Sequence, residues 1–227
     1  MGNKLEQVKE LVKPDYDTLD CWVHSWSHIE GVFNNTQKLA NLESVNPLTC
    51  GIAAYCHDLG RIEEEKRKQK GEPFFPHALF SIEPTIEVLR KVGISGVDFA
   101  EIVEAVVVHS YWTYEGKNNT ARILQDADKI IAFGPYGVLG AIKYFGGKDY
   151  INPSDILDNR NNSEKIQEFC NYSLSQLKGE NLEKIINGFD FVIEWWDKIH
   201  TESARRIAKD DFEYYKKIRE NLIKKLS

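Results

Sequence analysis

The sequence predicts an all-α protein, a bundle of helices with a helical C-terminal extension. Almost every long segment repeats its apolar residues at helical spacing. No segment stands out with the alternating, β-branched pattern of a strand. Of the 227 residues, 42% are hydrophobic and 11% aromatic, and so many aromatic residues are incompatible with a largely disordered chain. We therefore expect a sizeable hydrophobic core that needs no disulfides.

The first third of the chain divides into helices separated by short breaks. A helix over 3–13 is expected to stop before Pro14, because the residue preceding a proline disfavours helical geometry. Residues 19–43 carry apolar side chains three or four positions apart, which predicts a second helix. Pro47 then opens a short, strongly apolar helix. Residues 60–76 are the most charged stretch, and we expect a loop or an interrupted helix there.

The middle of the chain alternates between helices and breaks. Residues 77–92 are expected to form one helix that ends at glycines. Asp98 with Glu101 resembles a capping box, which predicts a helix over 99–109. Residues 111–119 are expected to form a loop before the next apolar, helical pattern begins.

The remaining segments suggest where one domain ends. Residues 120–133 predict a helix, and a further one runs to about residue 145. Residues 146–162 are rich in Gly, Asn, Asp and Pro, which is typical of a linker. We therefore assign residues 1–145 to one domain that holds the functional site. Residues 146–227 are assigned to a helical extension, with two or three amphipathic helices, packed on the same core.

Composition and charge exclude several classes of function. The net charge is −6, from 29 basic and 35 acidic residues, which argues against a general nucleic-acid-binding protein. No stretch approaches about 18 apolar residues, so no membrane span is expected. The N-terminal segment does not resemble a signal peptide. The four cysteines form no CxxC pair, so we expect free thiols in the cytoplasm rather than disulfides or a zinc ribbon.

Histidine and aspartate recur at intervals of about one helical hairpin. The ordered set is His28, His57 with Asp58, His77, His109 and Asp128. The separations are 29, 20, 32 and 19 residues, so antiparallel helices could bring the set together, as in the metal sites of helical bundles. Imidazole and carboxylate ligands suit Mn, Mg, Fe, Ni or Zn, and the absence of thiolate disfavours a structural zinc. The adjacent His57 and Asp58 would point about 100° apart on a helix, so the aspartate could reach a second metal.

This ordered set resembles the HD-domain superfamily of metal-dependent phosphohydrolases. The motifs that carry the resemblance are HSWSHIEGV at 24–32, GIAAYCHDLGR at 51–61, PHALFSIEPTIEVL at 76–89, IVEAVVVHS at 102–110 and ARILQDADKI at 121–130. The motif LQDADKI, together with HTESARRIA at 200–208, is similar to the YedJ/YpgQ-like subgroup. The resemblance implies an HD-domain helical bundle that hydrolyses phosphate esters or anhydrides, often on nucleotides.

The resemblance also implies roles for individual residues. The single-metal ligands of the superfamily correspond to His28, His57, Asp58 and Asp128. The extra ligands of its two-metal members correspond to His77 and His109. The motif HDLGR is similar to the HDxGK pattern of two-metal members, with Arg61 in place of the lysine. The loop after His109 lacks the GYP tripeptide of the cyclic-dinucleotide branch, so we do not expect that substrate.

A hydrolytic mechanism assigns further roles. We predict Asp58 and Arg61 as catalytic residues. Asp58 would bind metal and orient or deprotonate the attacking water, and Arg61 would neutralise a phosphate oxygen, because its guanidinium can bind bidentately. Lys129 and Arg122 are further candidates for binding phosphate, and Trp112 could stack on a base.

Three functions are compatible with the sequence. The first is a phosphohydrolase with one or two divalent ions, acting on a small phosphorylated substrate such as a nucleotide. The second is a di-iron oxygenase, since two-metal HD proteins of that kind use the same six ligands. The third is a non-catalytic ligand sensor, although degenerate HD modules lose ligands that this chain keeps. We expect no membrane partner, and the sequence carries no signal for an oligomeric state.

Overall fold

The structure, a computed structural model, describes residues 2–19, 21–73 and 75–226. These residues form helices joined by turns and contain no strand, which confirms the prediction of an all-α protein. The chain divides into two compact units, one ending at Asp128 and the other beginning at Lys129. No helix of the described part is both long and apolar enough to cross a membrane. The packing of residues 146–227 on the core of residues 1–145 stays a prediction.

The helices of the first unit place most of its apolar side chains inside. Over the described residues they are α1 (Gly2–Tyr16), α2 (Trp26–Leu42), α3 (Pro47–Cys56), α4 (Arg61–Gln69), α5 (His77–Phe80), α6 (Ile82–Lys91), α7 (Gly96–Val108) and α8 (Asn119–Ile130). A 3₁₀ turn precedes α2, and the last two residues of α8 belong to the second unit.

Helix α3 is the centre of the first unit. Its residues 49–56 are all buried, and it packs against α1, α2 and α7. A helix surrounded in this way must be apolar on every face, which explains why the segment shows no polar stripe. The Asn46 side chain accepts a hydrogen bond from the Leu48 amide, and Pro47 begins the helix, so the start of α3 is well defined.

Two boundaries near the N-terminal half differ from the expected ones. Helix α1 continues through Pro14 to Tyr16, whose buried hydroxyl donates a hydrogen bond to the Tyr55 carbonyl oxygen at 2.9 Å. This anchor keeps the last turn helical although the proline removes one backbone donor. The charged stretch after residue 60 contains a regular helix, α4, because its charges pair along the helix, as between Arg67 and Glu63 at 2.9 Å.

Two further boundaries differ because local contacts override the sequence pattern. The expected helix over 77–92 is divided into α5 and α6 at Ser81. Helix α7 begins at Gly96, three residues earlier than expected, with Ser95 as the N-cap. Asp98 therefore lies inside the first turn, and the capping-box interpretation was wrong.

The second unit has an aromatic core. Its described helices are the end of α8, α9 (Gly134–Gly146), α10 (Pro153–Asp158), α11 (Ser163–Gln176), α12 (Glu180–Ile193) and α13 (Glu202–Leu226). Helix α9 packs against α11, α12 and α13. Trp196 stacks on Phe212 with ring centroids 4.1 Å apart, and Phe189 stacks on Tyr215 at 4.2 Å. The segment expected to be a linker contains α10, whose start is capped by the Asn152 side chain.

Candidate metal centre

The first unit brings together all six residues of the histidine and aspartate set. Most of them stand at or beside a helix end, where a side chain can project past its own helix into the space between helices. His28 is on α2, His57 is the C-cap of α3, His77 begins α5, and His109 is the C-cap of α7. Asp58 directly follows His57, and Asp128 is near the end of α8. The helices thus bring together the six residues that the spacing singled out, and their role as metal ligands stays a prediction.

The two carboxylate oxygens of Asp58 face two different pairs of histidines. Oδ2 lies 3.9 Å from His28 Nε2 and 3.7 Å from His57 Nε2. Oδ1 lies 3.0 Å from His77 Nε2 and 3.5 Å from His109 Nε2. In each group of three residues, the possible ligand atoms lie within 4.8 Å of one another. Asp58 can therefore serve two cation positions at once.

Asp128 completes the first of these groups. Its Oδ1 lies 3.2 Å from His28 Nε2 and 3.9 Å from His57 Nε2. Each of the two imidazole nitrogens therefore lies within 3.9 Å of an oxygen of both Asp58 and Asp128. Two imidazoles and two carboxylates are a donor set that borderline and hard divalent cations accept.

The imidazole of His57 offers a lone pair to the centre of the cluster. Its Nδ1 is 2.8 Å from the Ala54 carbonyl oxygen, which can only accept, so Nδ1 carries the proton. Burial lowers the pKa of His57 to about 4, which keeps the ring neutral at pH 7. Its Nε2 is buried and has no hydrogen-bond partner. A buried, unpaired lone pair beside carboxylates fits a metal ligand better than a structural histidine.

The imidazole of His109 is oriented in the same way as that of His57. Its Nδ1 lies 2.6 Å from the Val106 carbonyl oxygen, so this nitrogen is the donor and Nε2 carries the lone pair. The Nε2 atoms of His77 and His109 are only 3.0 Å apart. Burial by itself lowers the pKa of His77, but the Asp58 and Glu64 carboxylates outweigh this effect and raise it. The surroundings of His77 therefore favour the protonated, positively charged form of its imidazole.

The carboxylates supply negative charge to a largely buried site. Burial by itself raises the pKa of Asp58, but the Arg61 guanidinium and the neighbouring histidines hold it well below its usual range. Burial by itself also raises the pKa of Asp128, but its hydrogen bond with His28 lowers this pKa overall. Both groups therefore stay ionised at pH 7. The C-terminal ends of α3 and α7 add the negative ends of two helix dipoles.

The Ser81 hydroxyl and Gly60 hold the turn after His57 close to α5. The Gly60 amide donates to Ser81 Oγ at 2.8 Å, and this hydroxyl lies 2.8 Å from the His57 carbonyl oxygen. A Cβ at position 60 would lie 2.0 Å from the His77 carbonyl oxygen. Only glycine allows the two backbones to approach so closely. The glycine of HDLG therefore brings His77 near Asp58.

Arg61 and Glu64 join the cluster from α4. Arg61 Nε is 3.2 Å from Asp58 Oδ1, and its Nη1 is 2.9 Å from Glu64 Oε2. Glu64 Oε1 is 3.6 Å from His77 Nδ1. Sequence reasoning did not assign Glu64 a role, because its segment was expected to be a loop or a broken helix. In a continuous helix, the three-residue spacing from Arg61 would have placed the two on one face.

The remaining predicted residues lie outside this cluster or beside it. Trp112 is 40% exposed, and Arg122 is also exposed. Lys129 is buried in the second unit. The roles of these three in substrate binding stay predictions. Cys56, next to His57, is buried, and burial raises the pKa of its thiol to about 12, so it is not a thiolate ligand at pH 7.

Comparisons with known proteins agree with this geometry. Residues 25–132, a span that includes all six residues of the cluster, match the HD domain family. No match to the curated proteins was found. Three solved structures are similar over almost the whole chain. The first is named a predicted HD superfamily hydrolase, from an uncultured Thermotogales bacterium. It is 20% identical, with a TM-score of 0.56, and the match covers 100% of this chain and 93% of the other.

The other two structures come from two further bacteria, Lactobacillus plantarum and Listeria innocua. A Lactobacillus plantarum protein is 15% identical, with a TM-score of 0.67, over 100% of this chain and 98% of its own. The Lin1889 protein of Listeria innocua is 19% identical, with a TM-score of 0.61. The match covers 99% of this chain and 97% of the Listeria chain. Such low identities establish a shared fold and not a shared activity. The family match, over residues 25–132, concerns the part of the chain that holds the cluster.

Proposed function

We propose that the protein is a metal-dependent phosphohydrolase that cleaves phosphate ester or anhydride bonds of a small phosphorylated substrate, with nucleotides as the first candidates. The observation that carries the proposal is the position of Asp58, whose two oxygens face two pairs of histidines. The similar Thermotogales structure, named a predicted HD superfamily hydrolase, supports the same reaction class. The motif at 121–130 supports membership of the YedJ/YpgQ-like subgroup.

The residues present fit one or two divalent cations. The first position would be held by His28, His57, Asp58 and Asp128. The second would be held by Asp58, His77 and His109. Nitrogen and oxygen donors of this kind suit Mn, Mg, Fe, Ni or Zn, and manganese is our first choice. When bound, such a cation polarises a phosphoryl oxygen and lowers the pKa of its bound water toward about 7.

The chain's own groups supply position and charge. Phosphoryl transfer depends mainly on placing the reactants and neutralising the charge that develops on oxygen. Asp58, ionised and buried, orients the attacking water or accepts its proton. Arg61 is held beside it at 3.2 Å, and its guanidinium would neutralise a phosphate oxygen. Most side chains of the cluster are buried, and charges act on one another more strongly in such a place than in bulk water.

Two exposed residues outside the cluster, Arg122 and Trp112, would bind the rest of the substrate. Arg122 carries positive charge on α8, close in sequence to Asp128, whereas Lys129 is buried and its role stays a prediction. Trp112 lies in the loop after α7 with 40% of its surface exposed, and an exposed indole can stack on a base. These features support a nucleotide over an unsubstituted phosphate.

The test measures phosphate and pyrophosphate release from a panel of nucleotides, with Mn²⁺ and with EDTA. Wild-type protein is compared with Asp58→Ala and with Asp210→Ala, which removes an exposed carboxylate on α13. We expect release that requires the metal and Asp58 and is unchanged in Asp210→Ala. Release that persists in EDTA or in Asp58→Ala would contradict the proposal. Bound iron with O₂ uptake and no phosphate release would instead establish an oxygenase, and ligand binding without turnover would establish a sensor.

A further inference from the structure

Glu64 forms part of a closed ring of four charged or polar side chains. Its Oε1 lies 3.6 Å from His77 Nδ1, and its Oε2 lies 2.9 Å from Arg61 Nη1. The opposite sides of the ring are the contacts of Asp58 Oδ1 with His77 Nε2 at 3.0 Å and with Arg61 Nε at 3.2 Å. Glu64 is thus joined to Asp58 by two routes, one through an imidazole and one through a guanidinium.

His77 differs from His57 and His109 in the partner of its Nδ1. The latter two are C-caps, so each can donate to a carbonyl oxygen of its own helix, at Ala54 and Val106. His77 is the first residue of α5, where no preceding helical turn offers a carbonyl oxygen. Its Nδ1 must therefore be oriented by another element, and α4 supplies a carboxylate there.

A carboxylate at this place has two effects on the imidazole. It holds a proton on Nδ1, so that Nε2 is the nitrogen left for a cation to bind in place of its proton, and it fixes the rotation of the ring. The separation of 3.6 Å is an ion-pair distance that a small adjustment of either side chain would shorten to a hydrogen bond. The Glu64 side chain is only 20% exposed, and Arg61 holds its other oxygen, so the carboxylate has little freedom to turn away.

We propose that Glu64 is a positioning residue for the second cation position, formed by Asp58, His77 and His109. It holds Nδ1 of His77 protonated, so that Nε2 is directed at a cation beside Asp58 Oδ1. This inference rests on the proposed function, since it requires that the cluster binds two cations. It also predicts that the two positions respond differently to a change on α4, because the His28 and His57 group has no described contact with Glu64.

The test is a calorimetric titration of metal-free protein with Mn²⁺. Wild-type protein is compared with Glu64→Gln, which keeps the size of the side chain and removes its charge. The matched control is Glu65→Gln, the same change one residue along α4. We expect two binding events in the wild type and in the control. In Glu64→Gln, we expect one event to be weakened about 10- to 100-fold while the other is unchanged, which is the usual effect of removing a carboxylate behind a metal-ligating histidine.

A spectroscopic measurement separates positioning from a general structural role. Long-range ¹⁵N–¹H NMR of the imidazole rings, with His77→Gln used for assignment, reports which nitrogen of His77 carries the proton. We expect protonated Nδ1 in the wild type and a changed pattern in Glu64→Gln, with the signals of His28 unmoved. Glu64→Asp, which keeps the charge on a shorter side chain, should recover part of the lost affinity.

The outcomes distinguish this inference from the proposed function. Wild-type protein that binds no Mn²⁺ would overturn both. Wild-type protein that binds two ions, with Glu64→Gln matching it, would overturn the role of Glu64 and leave the proposed function standing. Equal weakening of both events in Glu64→Gln, or binding of a single ion by the wild type, would also overturn the role of Glu64.

Discussion

The Ser81 hydroxyl lies 2.8 Å from the carbonyl oxygen of His57, and both groups are buried. The same hydroxyl accepts a hydrogen bond from the Gly60 amide and lies 3.2 Å from the His77 carbonyl oxygen. It therefore connects the turn that carries His57 and Asp58 with the helix that begins at His77. This connection sets how the two histidine groups are placed around Asp58.

Replacing Ser81 with alanine should loosen this connection. Ser81→Ala leaves the buried Gly60 amide without its partner, and an unsatisfied buried group costs about 1 to 3 kcal/mol. We expect the free energy of unfolding, measured with urea on metal-free protein, to fall by that amount. Ser175→Ala, at an exposed serine on α11, is the control, and we expect a change within about 0.5 kcal/mol. Equal stability of the two variants would contradict the role of Ser81.

Adding a methyl group at Gly60 should force α5 away from the His57 turn. In Gly60→Ala, the new Cβ would meet the His77 carbonyl oxygen at 2.0 Å and the Ser81 amide nitrogen at 2.7 Å. Because both neighbours are backbone atoms, the helix has to move, and we expect a loss of about 1 to 3 kcal/mol and weaker Mn²⁺ binding.

The control for this change is Gly71→Ala. That position has open space around it, with nothing within 4 Å of an added Cβ, but a positive φ of 70°. We expect a cost of about 1 kcal/mol from the backbone conformation and unchanged Mn²⁺ affinity. Calorimetry and urea unfolding measure both quantities. Unchanged Mn²⁺ binding in Gly60→Ala would show that the approach of α5 does not position His77.

Removing Asp58 should abolish both cation positions together. Since Asp58 offers one oxygen to each histidine pair, Asp58→Ala takes a ligand from both. We expect the bound metal, counted by elemental analysis after dialysis, to fall toward zero. Hydrolysis should fall by at least about 100-fold, since even supporting residues of a metal site cost 10- to 100-fold. Loss of one ion with full retention of the other would contradict the bridging position.

Metal removal should lower the thermal stability of the wild-type protein. A cation that binds the folded state alone stabilises it by about 2.7 kcal/mol when its free concentration is 100 times its dissociation constant. We expect EDTA to lower Tm, excess Mn²⁺ to restore it, and Asp58→Ala to show no such response. The measurement is differential scanning calorimetry. A wild-type Tm that is the same in EDTA and in Mn²⁺ would count against a metal centre.

Much of the fold and the composition of the site could be predicted from the sequence. Helical periodicity identified most segments because an amphipathic helix must repeat its apolar residues with the period of the helix. The set from His28 to Asp128 was recognisable because its members recur at intervals of about one helical hairpin. The resemblance to HD domains then assigned His77 and His109 to a second position, and the structure brings both beside Asp58.

Other features depend on contacts between residues that are distant in the sequence. Helix α1 passes Pro14 because the Tyr16 hydroxyl is bound at Tyr55, 39 residues away. The break at Ser81 follows from its contact with His57, and Glu64 gains its partner from a different helix. Contacts of this kind connect residues far apart in the chain, so that no short window of sequence contains both partners.

The helical class and the residue types of the site can be read from the sequence, because both depend on local spacing and on side-chain chemistry. How those residues are divided around Asp58, with His28 and His57 at one oxygen and His77 and His109 at the other, depends on the packing of the helices. That division is set by the directions in which packed helices end and by the close approach that glycine permits between two backbones. Such directions exist only once the helices have packed.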